Sequence, residues 1–287
     1  MSDPIVSFII PAKNESATIA QVVGRVQELH PTAEIVVVDD GSTDDTAALA
    51  KRAGARVHQH PTSLGNGAAV KAGARSAKGE IFVFLDADGQ HDPADATRLL
   101  ARLDQGFDMA VGARSSGSHA NIARMMANGA YNVIASAITG QTIPDLTSGY
   151  RAVRADIFRK YLYLLPNGFS YPTTITMALM RAGHPVDFVD IQASKRKGKS
   201  HIKPLRDGFR FLLIIFKIAT LYAPLKLFLP ASALFLLTGI AYYAYTFSTQ
   251  GRFTNMTLLL MSAAVIIFLI GLISEQITAL NYKESGS

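Results

Sequence analysis

Two long apolar segments in the C-terminal part of the chain constrain the fold more than any other feature. Residues 227–248 contain no charged side chain, and residues 256–280 contain only Glu275. Each segment is long enough to cross the hydrocarbon core of a bilayer as one helix, and only a short linker separates them. The sequence therefore predicts a hairpin of two transmembrane helices. A buried helix pair in a soluble core is the alternative.

A basic cluster precedes the first apolar segment and predicts its orientation. Nine Lys and Arg side chains lie between positions 195 and 226, against the single acid Asp207. By the positive-inside rule, this excess places the preceding domain and both chain ends in the cytoplasm, on a plasma or inner membrane. We expect the cluster to face lipid head groups or phosphates rather than nucleic acid, because it adjoins apolar sequence and no nucleic-acid-binding motif is present.

The part of the chain before the cluster alternates short β-branched runs with amphipathic stretches. Strands are predicted at residues 5–10, 34–38, 56–59, 81–85 and 109–113, with helices at 17–29, 45–53, 67–77 and 94–105. This alternation predicts an α/β fold with a mainly parallel sheet covered on both faces.

Three segments follow from these patterns. We expect a catalytic domain over residues 1–203, a juxtamembrane segment over 204–225, and two transmembrane helices within 226–282, at about 227–248 and 256–280. The juxtamembrane segment is apolar but contains Arg210 and Lys217, which predicts a helix lying in the membrane interface. An ordinary packing helix between domain and membrane is the alternative.

Residues 82–92 join a buried strand to a group of oxygen-bearing side chains. Four apolar residues are followed by Asp86, Asp88, Gln90 and Asp92. Strands of a covered parallel sheet deliver such groups to the carboxyl edge, where these folds bind ligands. Carboxylate and amide oxygens suit Mg2+ or Mn2+, so the run predicts a metal site that holds a phosphate-bearing substrate. A turn stabilised by Asp side chains is the alternative.

Three further polar clusters end predicted strands of the same sheet. They are Pro11-Ala-Lys-Asn-Glu15, Asp39-Asp-Gly-Ser-Thr-Asp44 and Gly112-Ala-Arg114. Several polar clusters at one sheet edge indicate a nucleotide-binding crevice rather than separate turns. The chain has no Cys, which excludes disulfides, zinc–thiolate sites and a thiol nucleophile.

In order and spacing, these segments resemble the family 2 nucleotide-sugar glycosyltransferases, which have the GT-A, Rossmann-like fold. The resemblance is strongest to the polyprenyl-phosphate sugar transferases, the dolichol-phosphate mannose synthase group. It rests on Ile9-Ile-Pro-Ala-Lys-Asn-Glu15, Val37-Val-Asp-Asp-Gly-Ser42, Leu85-Asp-Ala-Asp-Gly-Gln90, Arg114, Ser148-Gly-Tyr-Arg151 and the basic loop at 195–201. Three positions depart from the family pattern: Lys13 stands where an aromatic residue is common, and the loop begins with Lys195 and ends with His201 where the family has Arg and Lys.

The resemblance implies a role for each matching position. Contacts to the nucleotide sugar are implied for Pro11, Lys13, Glu15, Val38, Asp40, Asp86, Ala87, Lys195, Arg196 and His201, with Val38 and Asp40 at the base. Asp88 and Gln90 would hold the Mg2+ or Mn2+ ion, and Asp86, Asp88 and Arg114 would be catalytic. Contacts to an acceptor phosphate are implied for Arg114, Ser148, Arg151 and Lys203.

The resemblance thus implies transfer of a sugar from a nucleoside-diphosphate sugar to undecaprenyl or dolichyl phosphate. A phosphate acceptor is already ionised near neutral pH, so Asp86 would position it rather than remove a proton. The alternatives are a processive polysaccharide synthase of the same fold, which the absence of Trp disfavours, and a non-catalytic membrane scaffold. Hairpins of this kind could also pair into a homo-oligomer, although no small-xxx-small face is evident.

Overall fold

The structure is a computed structural model that divides the chain into two units, Met1–Ile202 and Lys203–Ser287. It describes residues 6–114, 139–168, 170–192 and 223–285, together with residues 129, 132, 133, 135, 136, 216 and 220. The predicted interfacial helix over 204–225 therefore lies largely outside the described residues.

In the described part of the first unit, seven strands form one central sheet. The strands are β1 (Val6–Ala12), β2 (Glu34–Asp39), β3 (Arg56–Gln59), β4 (Ile81–Phe84), β5 (Met109–Arg114), β6 (Arg151–Arg154) and β7 (Val186–Ile191). Their order across the sheet is β3-β2-β1-β4-β6-β5-β7. The predicted α/β class with a mainly parallel sheet is confirmed, but the sequence analysis missed β6 and β7.

Strand β6 runs antiparallel to both of its neighbours, whereas the other pairings are parallel. Arg151, its first residue, pairs with Phe84 of β4 and with Val111 of β5. Because of this reversal, the residues that precede β6 lie at the same edge as the carboxyl ends of β1, β2, β4 and β5. One sheet edge therefore collects five polar segments instead of four.

Helices cover both faces of the sheet, which explains why its strands are nearly continuous apolar runs. They are α1 (Ile19–Leu29), α2 (Thr46–Arg52), α3 (Asn66–Ser76), α4 (Ala96–Asp104), α5 (Ala155–Lys160) and α6 (Tyr171–Arg181). On one face, α1 and α4 bury Val23 and Leu99 against Phe8, Val37 and Val83. The opposite face carries an aromatic cluster of Phe82, Phe84, Phe158 and Tyr171.

The second unit contains two long apolar helices, α7 (Pro224–Gln250) and α8 (Asn255–Ser285). Both are long and apolar enough to cross a membrane. Their packing face consists of buried small residues spaced by seven: Ser232, Gly239 and Thr246 on α7, and Thr257, Ala264, Gly271 and Thr278 on α8. A period of seven keeps one seam of an antiparallel helix pair in contact. Because its small residues recur every seven positions, this face differs from the small-xxx-small pattern, which is spaced by four.

Polar contacts join the two helices at two levels. The Ser232 hydroxyl donates to the carbonyl oxygen of Ala264 at 2.8 Å. The Glu275 carboxylate accepts from the backbone N–H of Leu225 at 3.3 Å. Leu225 lies in the first turn of α7, where backbone N–H groups lack partners within the helix and a negative charge is favourable. Glu275 therefore has a structural role as a cap supplied by the neighbouring helix.

Candidate active site

The loops after β1 and β2 are joined by reciprocal hydrogen bonds. The backbone N–H of Asn14 donates to Ser42 Oγ at 2.9 Å, and Asn14 Oδ1 accepts from the N–H of Thr43 at 2.8 Å. The next residue, Glu15, donates its N–H to Thr46 Oγ1 at 2.9 Å. Asn14 holds φ at 55°, a left-handed conformation that Asn tolerates better than most residues. These bonds fix the predicted nucleotide-binding segments relative to each other and leave Lys13 exposed.

The two residues predicted to contact the base, Val38 and Asp40, are buried and make contacts within the protein. The Asp40 carboxylate accepts from His60 Nδ1, Ser63 Oγ and the backbone N–H groups of Leu64 and Gly65, at 2.7 to 2.9 Å. Burial opposes its charged form, but these four bonds prevail and lower its pKa to about 2. The Val38 side chain is fully buried, with its Cγ2 3.3 Å from where a Cβ on Gly73 would lie. Asp40 therefore anchors the loop before α3, and its contact with a base stays a prediction, as does that of Val38.

The segment after β4 forms a turn that projects its polar groups to the sheet edge. Asp86, Asp88 and Gln90 are partly exposed, whereas Ala87 between them is buried. The N–H of Gln90 donates to Asp88 Oδ1 at 3.1 Å, and the left-handed Gly89 at φ 71° allows the reversal. The turn expected from its Asp side chains is thus present. This turn also holds the carboxylates at the sheet edge. A turn stabilised by Asp side chains and a metal site are therefore compatible interpretations of this segment.

Gly149, just before β6, leaves room for the Asp86 carboxylate. A Cβ built on Gly149 would lie 3.0 Å from Asp86 Oδ2 and 3.3 Å from Oδ1. Contacts this short require the carboxylate to move. The segment that leads into β6 therefore places a residue without a side chain next to Asp86.

His91 is buried beside this turn. Its ring packs on Tyr150, with ring centroids 5.2 Å apart, and Tyr150 donates its hydroxyl to the carbonyl oxygen of Asp92 at 3.0 Å. Burial, reinforced by the positive charge of Arg114, lowers the pKa of His91 to about 4. His91 is therefore neutral near pH 7 and belongs to the packing that supports the acidic turn.

Arg114, at the end of β5, is held by an acid that the sequence analysis missed. Its Nε donates to Asp145 Oδ2 at 2.7 Å and its Nη2 donates to Asp145 Oδ1 at 3.1 Å. Burial favours loss of the proton from Arg114, but the hydrogen bonds and charge of Asp145 prevail and raise its pKa, with a smaller contribution from Asp86. The only signal for Asp145 in the sequence is its position just before the Ser148-Gly-Tyr-Arg151 segment.

The structure places two predicted acceptor-phosphate residues in the interior. Arg151 is fully buried: its Nη1 donates to the carbonyl oxygen of Pro172 at 3.0 Å and to Thr176 Oγ1 at 3.1 Å, and its Nη2 donates to the carbonyl oxygen of Ser148. The Ser148 side chain is also fully buried. Neither group reaches solvent, so we assign both a structural role in place of the predicted phosphate contact. The other predicted cations, Lys195, Arg196, His201 and Lys203, lie outside the described residues.

The donor set at the edge fits a divalent cation shared with a substrate. Within the described part of the chain, no group of three or more His, Asp or Glu side chains could enclose a metal ion. Asp88 and Gln90 offer one carboxylate and one amide oxygen. Mg2+ is commonly bound by one or two protein carboxylates, with phosphate and water completing its shell. These two residues therefore suit an ion whose other ligands come from a diphosphate.

Two family models match successive parts of the chain. Residues 7–162 match the model described as glycosyl transferase family 2. Residues 223–280 match the model described as the GtrB C-terminal hairpin. The first match covers the sheet edge described above, and the second covers helix α7 and most of α8.

The chain is also similar to curated proteins and to solved structures. The polyprenol monophosphomannose synthase of Mycolicibacterium smegmatis is 35% identical over 204 residues, covering 66% of this chain and 77% of the relative. Glycosyltransferase AglJ of Haloferax volcanii is 29% identical over 294 residues, covering 97% and 95%. A glucosyl-3-phosphoglycerate synthase from Mycobacterium tuberculosis, solved with Mn2+, uridine diphosphate and glucosyl-3-phosphoglycerate, has a TM-score of 0.60 at 22% identity, covering 74% and 77%. The structural likeness establishes the shared fold.

Proposed function

The chain belongs to glycosyl transferase family 2, and from this premise we propose that it transfers one sugar from a nucleoside-diphosphate sugar to a polyprenyl phosphate. The proposal rests on two structural features that occur together in this chain. An acidic turn lies at the carboxyl edge of the sheet, and a helical hairpin suited to a membrane follows it. The first feature suits a nucleotide-sugar donor, and the second keeps the enzyme at the membrane, where a lipid-anchored phosphate lies.

The donor is proposed to bind along the loops after β1, β2 and β4. Pro11, Lys13 and Glu15 line the nucleotide side, and Asp86 and Ala87 flank the sugar diphosphate. Asp88 and Gln90 hold Mg2+ or Mn2+, consistent with the Mn2+ and uridine diphosphate in the structural neighbour. When bound, the cation offsets the charge that develops on the leaving diphosphate. Lys195, Arg196 and His201 are proposed to add positive charge on the same side.

The acceptor is proposed to be a phosphate monoester on a polyprenyl chain, which is the chemistry named in the Mycolicibacterium relative. The second pKa of such a phosphate is about 6, so the oxygen that attacks the anomeric carbon carries charge at neutral pH. A strong general base is then unnecessary, and Asp86 orients the reactants. Arg114 and Lys203 are the proposed phosphate contacts. Direct displacement at the anomeric carbon inverts its configuration.

The membrane arrangement follows from charge and helix length. Helices α7 and α8 form a hairpin, so the residues before and after it lie on one side of the bilayer. The basic residues between positions 195 and 226 favour the cytoplasmic side. A polyprenyl phosphate keeps its phosphate at this interface while its chain stays in lipid.

The test uses the full chain in vesicles that contain polyprenyl phosphate. Radiolabelled nucleotide sugars are added one at a time, with Mg2+ or Mn2+ or with a chelator, and label in the lipid phase is measured. We expect metal-dependent transfer with at least one donor and its loss in Asp88→Ala. The matched control is Asp104→Asn, an exposed acid at the end of α4, which should transfer at the wild-type rate. Absence of lipid-phase label with every donor tested would refute the proposal.

A further inference from the structure

Asp145 and Arg114 form a side-on ion pair in which one edge of the guanidinium is fully used. Nε and Nη2 each donate to one carboxylate oxygen, at 2.7 and 3.1 Å. Thr147 completes the arrangement: its hydroxyl accepts from Arg114 Nη2 at 2.7 Å, and its backbone N–H donates to Asp145 Oδ1 at 3.0 Å. Paired N–H···O bonds of this kind fix orientation as well as distance.

The pair exists because of the sheet topology. Arg114 is the last residue of β5, and Asp145 lies 31 residues later, shortly before β6. Because β6 runs antiparallel between β4 and β5, the residues that directly precede β6 lie at the carboxyl edge of the parallel strands. Asp145 therefore lies beside Arg114 at this edge. The same segment places Gly149 next to the Asp86 carboxylate.

The two partners differ in exposure. The Asp145 side chain is 9% exposed, whereas that of Arg114 is 34% exposed. Among the described residues, Arg114 Nη1 has no hydrogen-bond partner, so the edge opposite Asp145 keeps its two N–H donors. The charge of Asp86 acts on Arg114 as well, which places this guanidinium within electrostatic reach of the acidic turn.

We infer that Asp145 is a positioning residue that holds the Arg114 guanidinium so that Nη1 faces the reacting groups. The inference rests on the proposed function, since it takes an oxygen of the acceptor phosphate as the group that Nη1 contacts. The pair is formally neutral, so Arg114 contributes directed N–H donors rather than a net charge. Its orientation then matters more than the charge alone.

Replacing Asp145 by Asn breaks the orientation while nearly keeping the volume. An amide can accept one N–H through its oxygen, but its NH2 group would face a second donor of Arg114. A misplacement of about 1 Å in a positioning group can cost about 100-fold in rate. We therefore expect Asp145→Asn to lower the transfer rate by about 10- to 100-fold, with the Kd of the nucleotide sugar unchanged.

The first arm of the test is a double-mutant cycle on the full chain. If Asp145 acts through Arg114, adding Asp145→Asn to Arg114→Ala should cause no further loss of transfer rate. A purely structural role would instead give losses that multiply. If Asp145→Asn does not fold, Thr147→Val removes only the hydroxyl that accepts from Nη2. It should show a smaller loss with the same non-additivity.

The second arm does not depend on activity. Phenylglyoxal reacts with accessible guanidinium groups, and mass spectrometry of the digested protein reports the rate at each Arg. We expect Arg114 to react faster in Asp145→Asn than in wild type. The matched control is Asp187→Asn, because Asp187 Oδ2 accepts from Arg102 Nε at 2.9 Å in a similar pair. There, Arg102 should react faster and Arg114 should not change.

The two arms separate failure of this inference from failure of the proposed function. A wild-type protein that transfers no sugar contradicts the function, yet its Arg114 modification rate still tests the pair. Multiplicative losses in the cycle, or equal Arg114 modification rates in wild type and Asp145→Asn, would overturn the positioning role.

Discussion

Thr18 donates its side-chain hydroxyl to the carbonyl oxygen of Ala87 at 2.7 Å. The bond is buried and joins the residue just before α1 to the middle of the acidic turn. Ala87 lies between Asp86 and Asp88, so this single contact sets how far the turn stands from the loop after β1. The loop proposed to bind the nucleotide and the proposed metal ligands are thereby joined by a hydrogen bond.

Replacing Thr18 by Val should weaken donor binding. Valine has a similar shape but cannot donate, so the buried carbonyl of Ala87 loses its partner, at a cost of about 1–3 kcal/mol. We expect a lower Tm and a higher Kd for a nucleoside diphosphate in the presence of Mn2+, measured by calorimetry on the detergent-solubilised chain. Thr97→Val, at an exposed position of α4, should change neither value. A Thr18→Val protein that binds nucleotide as wild type does would show that the contact is dispensable.

Replacing Gly149 by Ala should reduce transfer with little effect on folding. Its Cβ would lie 3.0 Å from Asp86 Oδ2, so the carboxylate must move by a few tenths of an ångström, and we expect the rate to fall by up to about 10-fold. The readout is the rate of sugar transfer alongside the Tm. Gly24→Ala is the control, because no atom lies within 4 Å of a Cβ at that helical position. Equal rates for Gly149→Ala and wild type would mean that the position of Asp86 is unimportant.

The core sheet was predictable because strands covered on both faces read as runs of Val, Ile and Phe. Strand β6 was not, since its four residues, Arg-Ala-Val-Arg, begin and end with a cation. Only the folded environment shows that Arg151 Nη1 donates to the carbonyl oxygen of Pro172 and to Thr176 Oγ1. Strand β7, Val-Asp-Phe-Val-Asp-Ile, carries a polar–apolar pattern that could have been found.

The same omission limited the prediction of the site. Asp86, Asp88 and Gln90 follow directly from a strand that ends in polar residues. Asp145 does not, because its contact with Arg114 depends on the reversed direction of β6. The local sequence also gave no sign that Asp40 would be surrounded by four donors from the segment His60–Gly65, since those donors come from a different loop.

Asp40 should contribute to stability in a way that depends on pH. Its pKa falls from the ordinary 3.8 to about 2 in the folded protein. The contribution is therefore present above pH 4 and is lost as the pH falls toward 2, with a magnitude of about 2 kcal/mol.

We expect Asp40→Asn to lower the Tm at pH 6 and to approach the wild-type Tm as the pH falls to 3. Thermal unfolding of the detergent-solubilised chain measures this, with Asp104→Asn following wild type throughout. A Tm difference between wild type and Asp40→Asn that stays constant over this range would contradict the assignment.

The hairpin contact between Ser232 and Ala264 can be tested by crosslinking, since the chain has no native Cys. Ser232→Cys with Ala264→Cys should react with a short bifunctional thiol reagent. Trypsin cleavage at Arg252, between the helices, would then leave α7 and α8 joined. Leu234→Cys with Ile266→Cys is the control pair, because these side chains are 65% and 55% exposed. If the fragments separate for the first Cys pair, or stay joined for the second, the packing of α7 against α8 would be contradicted.

The measurement that tests the central claim most directly is the mass of the lipid product made by the full chain. Vesicles containing a polyprenyl phosphate of one defined length are incubated with the active nucleotide sugar and Mg2+ or Mn2+. Lipid mass and released nucleoside diphosphate are then quantified together. We expect one product, heavier than the acceptor by a single sugar residue and formed in the same amount as the nucleoside diphosphate. A ladder of longer products, or nucleoside diphosphate released with no change in lipid mass, would contradict it.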